Sequence, residues 1–332
     1  MDPLKCISLN CRGLRDRSKR LTLFHFLKQQ KSTIIFLQET HSKQADETIW
    51  QKEYTKDTKY KILFNHSGDR SAGQAIILNL KNINILKSGI VMSGRIQYCE
   101  IENDEKKILF INIYAPNTDT GRVDFFKGLK NFLVHKIIWQ SLVIGGDFNV
   151  ILNPILDKMG GLATKKNSRE MITTMQQDLC LVDIWRMQHP NQKEYTWHQT
   201  NPNIRCRLDY FLISKYLIHS AKNSKIYSAI KTDHKIISLK INLGLTSRGP
   251  GFWKFNSSFL SDKEYLTMIT QLITNKWKEH LSIDDLRVRR DLLKFEIQSA
   301  SMSYSKIKAK ARRERESLLL SKIESLDKKN NQ

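Results

Sequence analysis

The chain has 332 residues, 40% hydrophobic and 9% aromatic, enough to build a core in one large domain plus an appendage, or in two domains. Its 55 Lys and Arg against 33 Asp and Glu give a formal charge of +22, a field that draws in polyanions, above all nucleic acid. Five scattered cysteines with no CxxC pair argue against a zinc ribbon or a disulfide framework, MDPLKCISLN lacks a secretory layout, and no apolar run reaches the ~20 residues of a membrane span.

Taken in order, the chain alternates short apolar runs with a few helical patterns. Strands are predicted at 5–10, 33–38, 60–65, 73–80, 96–102, 107–115, 141–146, 194–198, 207–214 and 235–243. Several are apolar almost throughout, as strands covered on both faces are. Helices are predicted at 18–30, 122–136 and 168–182; Leu23, Phe26 and Leu27 recur at helical spacing. The expected fold is α/β, two packed sheets with helices outside, over residues 1–243. GLTSRGPGFWKFN opens a Gly/Pro-punctuated hinge, placed at 244–258. Residues 259–332 read as a basic helical extension with no strand-like run, ending on a polar helix. That ending suggests a fragment of something longer. Lys and Arg exceed Asp and Glu in both parts, so the tail alone does not carry the charge.

Polar residues collect where strands end. Asn10 closes the first strand and Glu39 follows the second, in FLQET. Tyr114 closes INIY, and Asp147 and Asn149 follow SLVI within GGDFN. Asp209 lies in RLDYFLIS, and Asp233 and His234 precede the last strand in TDHK. Charged groups beside apolar runs are costly unless paired, hydrated or metal-bound. Four carboxylates and a histidine on separate strands suit phosphodiester hydrolysis, with a divalent cation to neutralise phosphate and leaving oxygen. Mg²⁺ needs few protein ligands because it keeps several waters. A histidine can stabilise charge on phosphorus while a carboxylate fixes its tautomer. Plainer readings stand beside these: GDFN as a strand-to-turn junction, Asp233–His234 as a surface pair, Glu39 beside a helix N-cap, Tyr114 as a core aromatic.

The pieces LNCRGL, LQET, IYAPN, GGDFN, RLDYFLIS and TDH, in this order over residues 4–243, resemble the exonuclease–endonuclease–phosphatase superfamily, which has a DNase I-like two-sheet α/β sandwich. The resemblance puts Asn10 and Glu39 on the metal side, with Glu39 the principal ligand. It makes Tyr114 a phosphate contact and Asp147 the group that orients or deprotonates water, with Asn149 gripping the phosphate. Asp209 would hold His234, and Asp233 would sit near the metal or in the same network. Mg²⁺ is the implied cofactor, with Mn²⁺ as a substitute. Arg12 stands where abasic-site enzymes carry a carboxylate, which weakens a second metal and redirects Arg12 to phosphate. Thr232 stands for the usual Ser and keeps the hydroxyl.

Within the superfamily, the stretch from Leu181 to Ser214 and the hinge are similar to the endonuclease of LINE-type (non-LTR) retrotransposon polyproteins. That resemblance implies a nick in duplex DNA whose 3′ hydroxyl primes reverse transcription, action in the nucleus after synthesis in the cytoplasm, and a reverse transcriptase in cis. No aromatic-Ala-Asp-Asp motif occurs in these residues. WHQTNPNIRCR, residues 197–207, reads as a polar loop and by resemblance enters a groove, with Thr196 beside the nick. Arg205 and Arg207 are phosphate candidates, although Arg207 could instead pair inside the fold. Arg12, Arg70, Lys165 and Lys166 are further candidates. The basic extension is expected to bind element RNA or DNA through SKIKAKARRER. Competing readings are an abasic-site repair endonuclease and a nucleic-acid-binding module with an inactive nuclease core. A phosphatase or sphingomyelinase ranks last.

Overall fold

The computed structural model describes residues 3–55, 59–68, 71–103, 105–161, 166–243 and 254–329. The chain divides into two compact units, Met1–Thr246 and Ser247–Gln332.

Strands and helices are numbered along the chain. In the first unit one six-stranded sheet runs β3 (Tyr60–Asn65), β4 (Gln74–Asn79), β2 (Ile34–Gln38), β1 (Leu4–Asn10), β15 (Ile236–Ile241), β14 (Ala221–Tyr227). A second runs β5 (Asn84–Met92), β6 (Ile96–Asn103), β7 (Lys106–Tyr114), β8 (Leu142–Asp147), β13 (Asp209–Ser214), β10 (Leu181–Asp183). A small third sheet joins β9 (Lys158–Met159), β12 (Ile204–Cys206) and β11 (Trp197–Gln199).

The apolar strands are buried on both faces because alternate side chains serve two cores. Ile34 and Phe36 of β2 point into the layer between the sheets, while Ile35 and Leu37 point outward. Ile108 and Phe110 of β7 enter the same layer from the other side, and Leu109, Ile111 and Ile113 face outward. Phe36 meets Phe110 and Phe211 there at 6.4 Å each. Each fully buried Ile or Phe contributes about 1.5–3 kcal/mol. Helices α1 (Arg17–Gln29) and α2 (Glu47–Tyr54) cover one outer face through Leu23, Phe24, Trp50 and Tyr54. Helices α3 (Asp119–His135) and α4 (Asn167–Asp178) cover the other through Phe125, Phe126, Ile172 and Met175. A short α5 (Ile184–Gln188) follows β10. This is the two-sheet α/β sandwich expected from the sequence.

β1 and β2 are parallel, as are β7 and β8, and each pair is joined by a crossover through a helix, α1 or α3. Parallel pairing brings the carboxyl ends of these strands to one edge. Gly145 and Gly146 make the close contact of β8 possible. A Cβ on Gly145 would lie 2.4 Å from the Phe211 ring, and one on Gly146, at φ +143°, would lie 2.0 Å from the Ile113 carbonyl oxygen.

Several elements differ from the sequence reading. β5 and β14 were not anticipated; both are edge strands with many exposed positions, polar and, in β5, apolar as well. The strand expected at 194–198 begins only at Trp197, and the polar loop 197–207 contains the β11–β12 hairpin. The helix expected to run to 182 stops at Asp178, and its last two residues, Leu181 and Val182, belong to β10. Of the hinge, residues 244–253 lie outside the described residues. In the second unit α6 (Lys263–Glu279) packs on α7 (Leu286–Lys329) through Tyr265, Ile269 and Tyr304. All five cysteines are free, and no helix among the described residues is long and apolar enough to cross a membrane.

Candidate active site

The strand registers build the site. Tyr114 pairs with Asp147 across β7–β8, and Asp147 with Asp209 across β8–β13, so one sheet sets three functional side chains in a row. The other sheet ends β1 at Asn10 opposite Gln38, the residue before Glu39. The Asn10 amide ties the layers together: Nδ2 donates to Glu39 Oε1 at 2.8 Å and to Asp147 Oδ2 at 3.0 Å. His234, just before β15, has Nδ1 3.0 Å from Asp209 Oδ2 and Nε2 3.9 Å from Asp147 Oδ2. Asp147, Asp209 and His234 are all buried, with potential ligand atoms within 4.8 Å of one another. Beneath them, Gln38 Nε2 donates to Asn112 Oδ1 at 2.7 Å and Ser8 Oγ at 3.0 Å, a second polar link between the sheets.

The electrostatics follow from this burial. Desolvation, with the Asp209 charge next, pushes the Asp147 carboxyl up to about 7 against the opposing pull of His234 and Asn10. Burial alone would lower His234, but the Asp209 charge and hydrogen bond, aided by Asp147 and Asp233, hold the imidazole up at about 9. Burial and the neighbouring Glu39 carboxylate, to which its hydroxyl is hydrogen-bonded, keep Tyr114 a neutral phenol. The Arg95 guanidinium stands 5.1 Å over its ring.

Four non-glycine residues at this edge have left-handed backbones: Arg12 (φ 49°), Glu39 (φ 49°), His41 (φ 54°) and Asn149 (φ 51°). Each costs on the order of 1–3 kcal/mol and persists only where its surroundings over-determine it. The restraints are visible. Cys11 N and Gly13 N donate to Gln38 O and Glu39 O, and Thr40 N and His41 N to Gly73 O and Ala72 O. Ser42 Oγ lies 2.9 Å from His66 Nδ1, whose Nε2 lies 2.8 Å from Glu47 Oε1, bracing the same turn. Asn149 N donates to Asp147 Oδ1 at 2.9 Å.

Five of the expected residues have partners within the fold. Asn10 serves as a donor between two carboxylates, and its Oδ1 accepts from Arg12 N at 3.0 Å. The Asn149 amide donates to Ala115 O at 2.8 Å and Asn117 Oδ1 at 3.1 Å, which braces its turn. Asp233 Oδ2 accepts from Arg12 Nη1 at 3.2 Å and Trp197 Nε1 at 3.3 Å. Thr196 is buried, and its hydroxyl accepts from Leu208 N and Asp209 N, fixing Asp209 instead of facing a groove. Arg207 is also buried: it grips Asp157 through Nε and Nη2 at 2.8 and 2.9 Å and Asp183 at 2.7 Å, so the internal pair prevails over a phosphate contact. Arg205 lies on β12, partly exposed, and Lys166 is exposed. Arg70 and Lys165 lie outside the described residues.

His41, Arg95 and the Ser42–His66–Glu47 relay were not anticipated. The histidine in QETH stands two residues after Glu39, and its Nε2 lies 3.9 Å from Glu39 Oε2. The other partners come from distant segments with no local signature. The donor set suits a hard cation. It is dominated by carboxylate oxygens, and buried Asp209 Oδ1 has no hydrogen-bond partner among the described residues. The root of the β11–β12 hairpin abuts this centre through a bridge between Trp197 and His234.

The chain is 28% identical over 266 residues to a 149 kDa protein of transposon TX1 from Xenopus laevis, covering 79% of this chain and 20% of that one. It thus spans about a fifth of that relative's length. It is 24% identical over 260 residues to an exodeoxyribonuclease of Bacillus subtilis, covering 72% of this chain and all of that one. Its fold matches the AP endonuclease LMAP from Leishmania major with a TM-score of 0.61 at 16% identity, over 73% of this chain and 89% of that one. It matches the Xenopus laevis APE2 catalytic domain with a TM-score of 0.58 at 19% identity, over 73% and 94%. The model of the endonuclease/exonuclease/phosphatase family matches residues 7–234, from the first strand to the site histidine, and the chain belongs to that family.

Proposed function

We propose that the chain is a Mg²⁺- or Mn²⁺-dependent endonuclease that nicks one strand of duplex DNA and leaves a 3′ hydroxyl to prime reverse transcription within a retrotransposon polyprotein. The observation that carries this reading is the meeting of Glu39, Asp147, Asp209 and His234 at one end of the sandwich, bridged by Asn10. Kinship with a transposon protein supports the setting, and the +22 charge supports a polyanionic substrate.

A divalent ion held by Glu39, with Asp147 beside it, would supply positive charge to the scissile phosphate and the leaving oxygen. Asp147 takes the proton of the attacking water, its oxygens aimed by Asn10 Nδ2 and Asn149 N. His234, held in its protonated form by Asp209, gives one N–H from Nδ1 to that carboxylate and keeps an Nε2–H donor for phosphate oxygen. Tyr114, neutral, offers a hydroxyl on the Glu39 side. The hairpin Trp197–Cys206 enters a groove with Arg205 toward the backbone, and the basic α7 contacts element RNA. The nucleus is the place of action, with a reverse transcriptase following in cis.

Nicking of supercoiled plasmid is the test. Wild-type protein with Mg²⁺ yields open circles whose 3′ ends a polymerase extends, and EDTA abolishes the reaction. Asp147→Ala and His234→Ala each lose about 10²–10⁴-fold in rate with an unchanged circular dichroism spectrum. A wild-type chain that nicks no duplex refutes the reading. Likeness to AP endonuclease structures gives a second reading, abasic-site cleavage. A strong preference for abasic over intact oligonucleotides decides in its favour.

A further inference from the structure

We propose that the outer face of the first sheet carries a second nucleic-acid surface, a lysine row that holds single-stranded RNA away from the strand-end site. The retrotransposon reading supplies the identity of the strand as RNA; the surface itself rests on the sheet register.

The registers of β1, β15 and β14 set Lys5 opposite Lys240 and Lys240 opposite Lys222. Residues directly opposite share a face, with Cβ atoms about 4.5–5.5 Å apart, and like charges so placed destabilise a sheet. A row of three thus works against the fold that displays it. Lys225, opposite Ser238 beyond the β14 bulge, extends the row on the same face. That face is the outer one: Ile7 on β1, Ile236 on β15 and Tyr227 on β14 point the same way, into the core beneath α1 and α2.

The row is open to solvent and has no counter-charge. Lys222, Lys225 and Lys240 are exposed, and among the described residues no carboxylate pairs with them. Residues 215–243 hold six lysines and one carboxylate, Asp233, which is engaged with Arg12. Lys5 is anchored, its Nζ donating to Gln30 O at 2.6 Å. Tyr227, the one aromatic ring of these three strands, is half-buried, and its hydroxyl donates to Gln30 Oε1 at 3.3 Å. The face therefore offers ammonium groups for phosphates and no open ring for bases, which suits binding without regard to sequence. The outer positions of the row are two strand spacings apart, about 10 Å, the length of about three nucleotides of one strand. Lys5 lies five residues before Asn10, roughly 17 Å along β1. A duplex seated at the strand ends leaves the row to another strand.

The test compares the full-length wild-type chain with K222Q/K225Q/K240Q and K240E. A labelled oligouridine is bound in EDTA beside one equivalent of unlabelled DNA duplex, over a series of salt concentrations. Wild type takes up the RNA with the duplex in place. The triple variant lowers the RNA slope of log K against log salt by about 2, three phosphate contacts at about 0.7 each. Its slope for duplex alone is unchanged, and it melts no lower than wild type. K240E sets an acid between two lysines, so it melts higher than wild type yet binds RNA more weakly. A merely solvated face would give the first effect without the second. An RNA slope unchanged in the triple variant overturns the proposal. So does a wild type whose RNA is expelled by the duplex, or a triple variant whose duplex slope falls as far as its RNA slope. A chain that shows these shifts, yet nicks no duplex, refutes the nuclease reading and leaves the lysine surface standing.

Discussion

Arg207→Ala offers the sharpest test of how the site is held, because the sequence leaves this residue between a phosphate contact and an internal pair and the structure places it inside. The change deletes three charged hydrogen bonds, two to Asp157 and one to Asp183. It also removes a guanidinium 4.4 Å from the Tyr210 ring centre and 5.1 Å from that of Trp185. Asp157 is 0% exposed, so its charge would be stranded. Breaking a buried pair from one side costs about 3–5 kcal/mol. Arg186 also contacts Asp157 and would remain, which puts the expectation near the lower figure, roughly 3 kcal/mol. At about 2–4 °C per kcal/mol for a domain of this size, the melting temperature falls by roughly 6–12 °C. Urea and thermal unfolding measure this, and Arg207→Ala with Asp157→Asn should recover part of the loss. A fall worth under ~1 kcal/mol, the range of exposed pairs, would refute the buried clamp. So would a change in the salt slope of DNA binding, since a residue within the fold meets no phosphate.

Glycines in two settings should respond with opposite signs. Gly146→Ala loses roughly 2–6 kcal/mol from strained backbone and overlap with Ile113 O, whereas Gly128→Ala, in α3 with nothing near its added methyl, gains about 0.5–1 kcal/mol; urea midpoints that move together contradict this. Hydrogen bonding to Arg20, against the opposing cost of burial, and then to Arg17 holds the Glu53 carboxyl below its usual range. Its stabilisation is present above the unfolded pKa of about 4.3 and is lost as pH falls through the lower folded value. Glu53→Gln should therefore be less stable than wild type at neutral pH and equal to it in acid, and a gap in urea midpoint that persists in acid rules this out.

The site was readable where chemistry is local. Asn10, Glu39, Asp147, Asp209 and His234 each follow or precede an apolar run, and strand ends are where polar groups emerge. Their meeting point depends on two parallel crossovers and on the Asp147–Asp209 register, which no single run encodes. β5 escaped because an exposed edge strand such as NILKSGIVM carries no continuous apolar signal. Arg207 was ambiguous for a different reason. Arg205 and Arg207 stand two apart in one strand-like stretch, and only the distant Asp157 and Asp183 decide which is drawn inside. The same holds for Asp233, whose company is set by Arg12, 221 positions away.

Half of the machinery hangs from each sheet, with Asn10 and Glu39 on one and Asp147 and Asp209 on the other. The reacting groups thus act as a vernier for the stacking of the two layers. A slip of one ångström would part the amide of Asn10 from Asp147 while leaving both ladders intact. Trimming the aromatic contact that sets the spacing, at Phe36, Phe110 or Phe211, should therefore extinguish cleavage at temperatures where the dichroism of the sandwich has not begun to change.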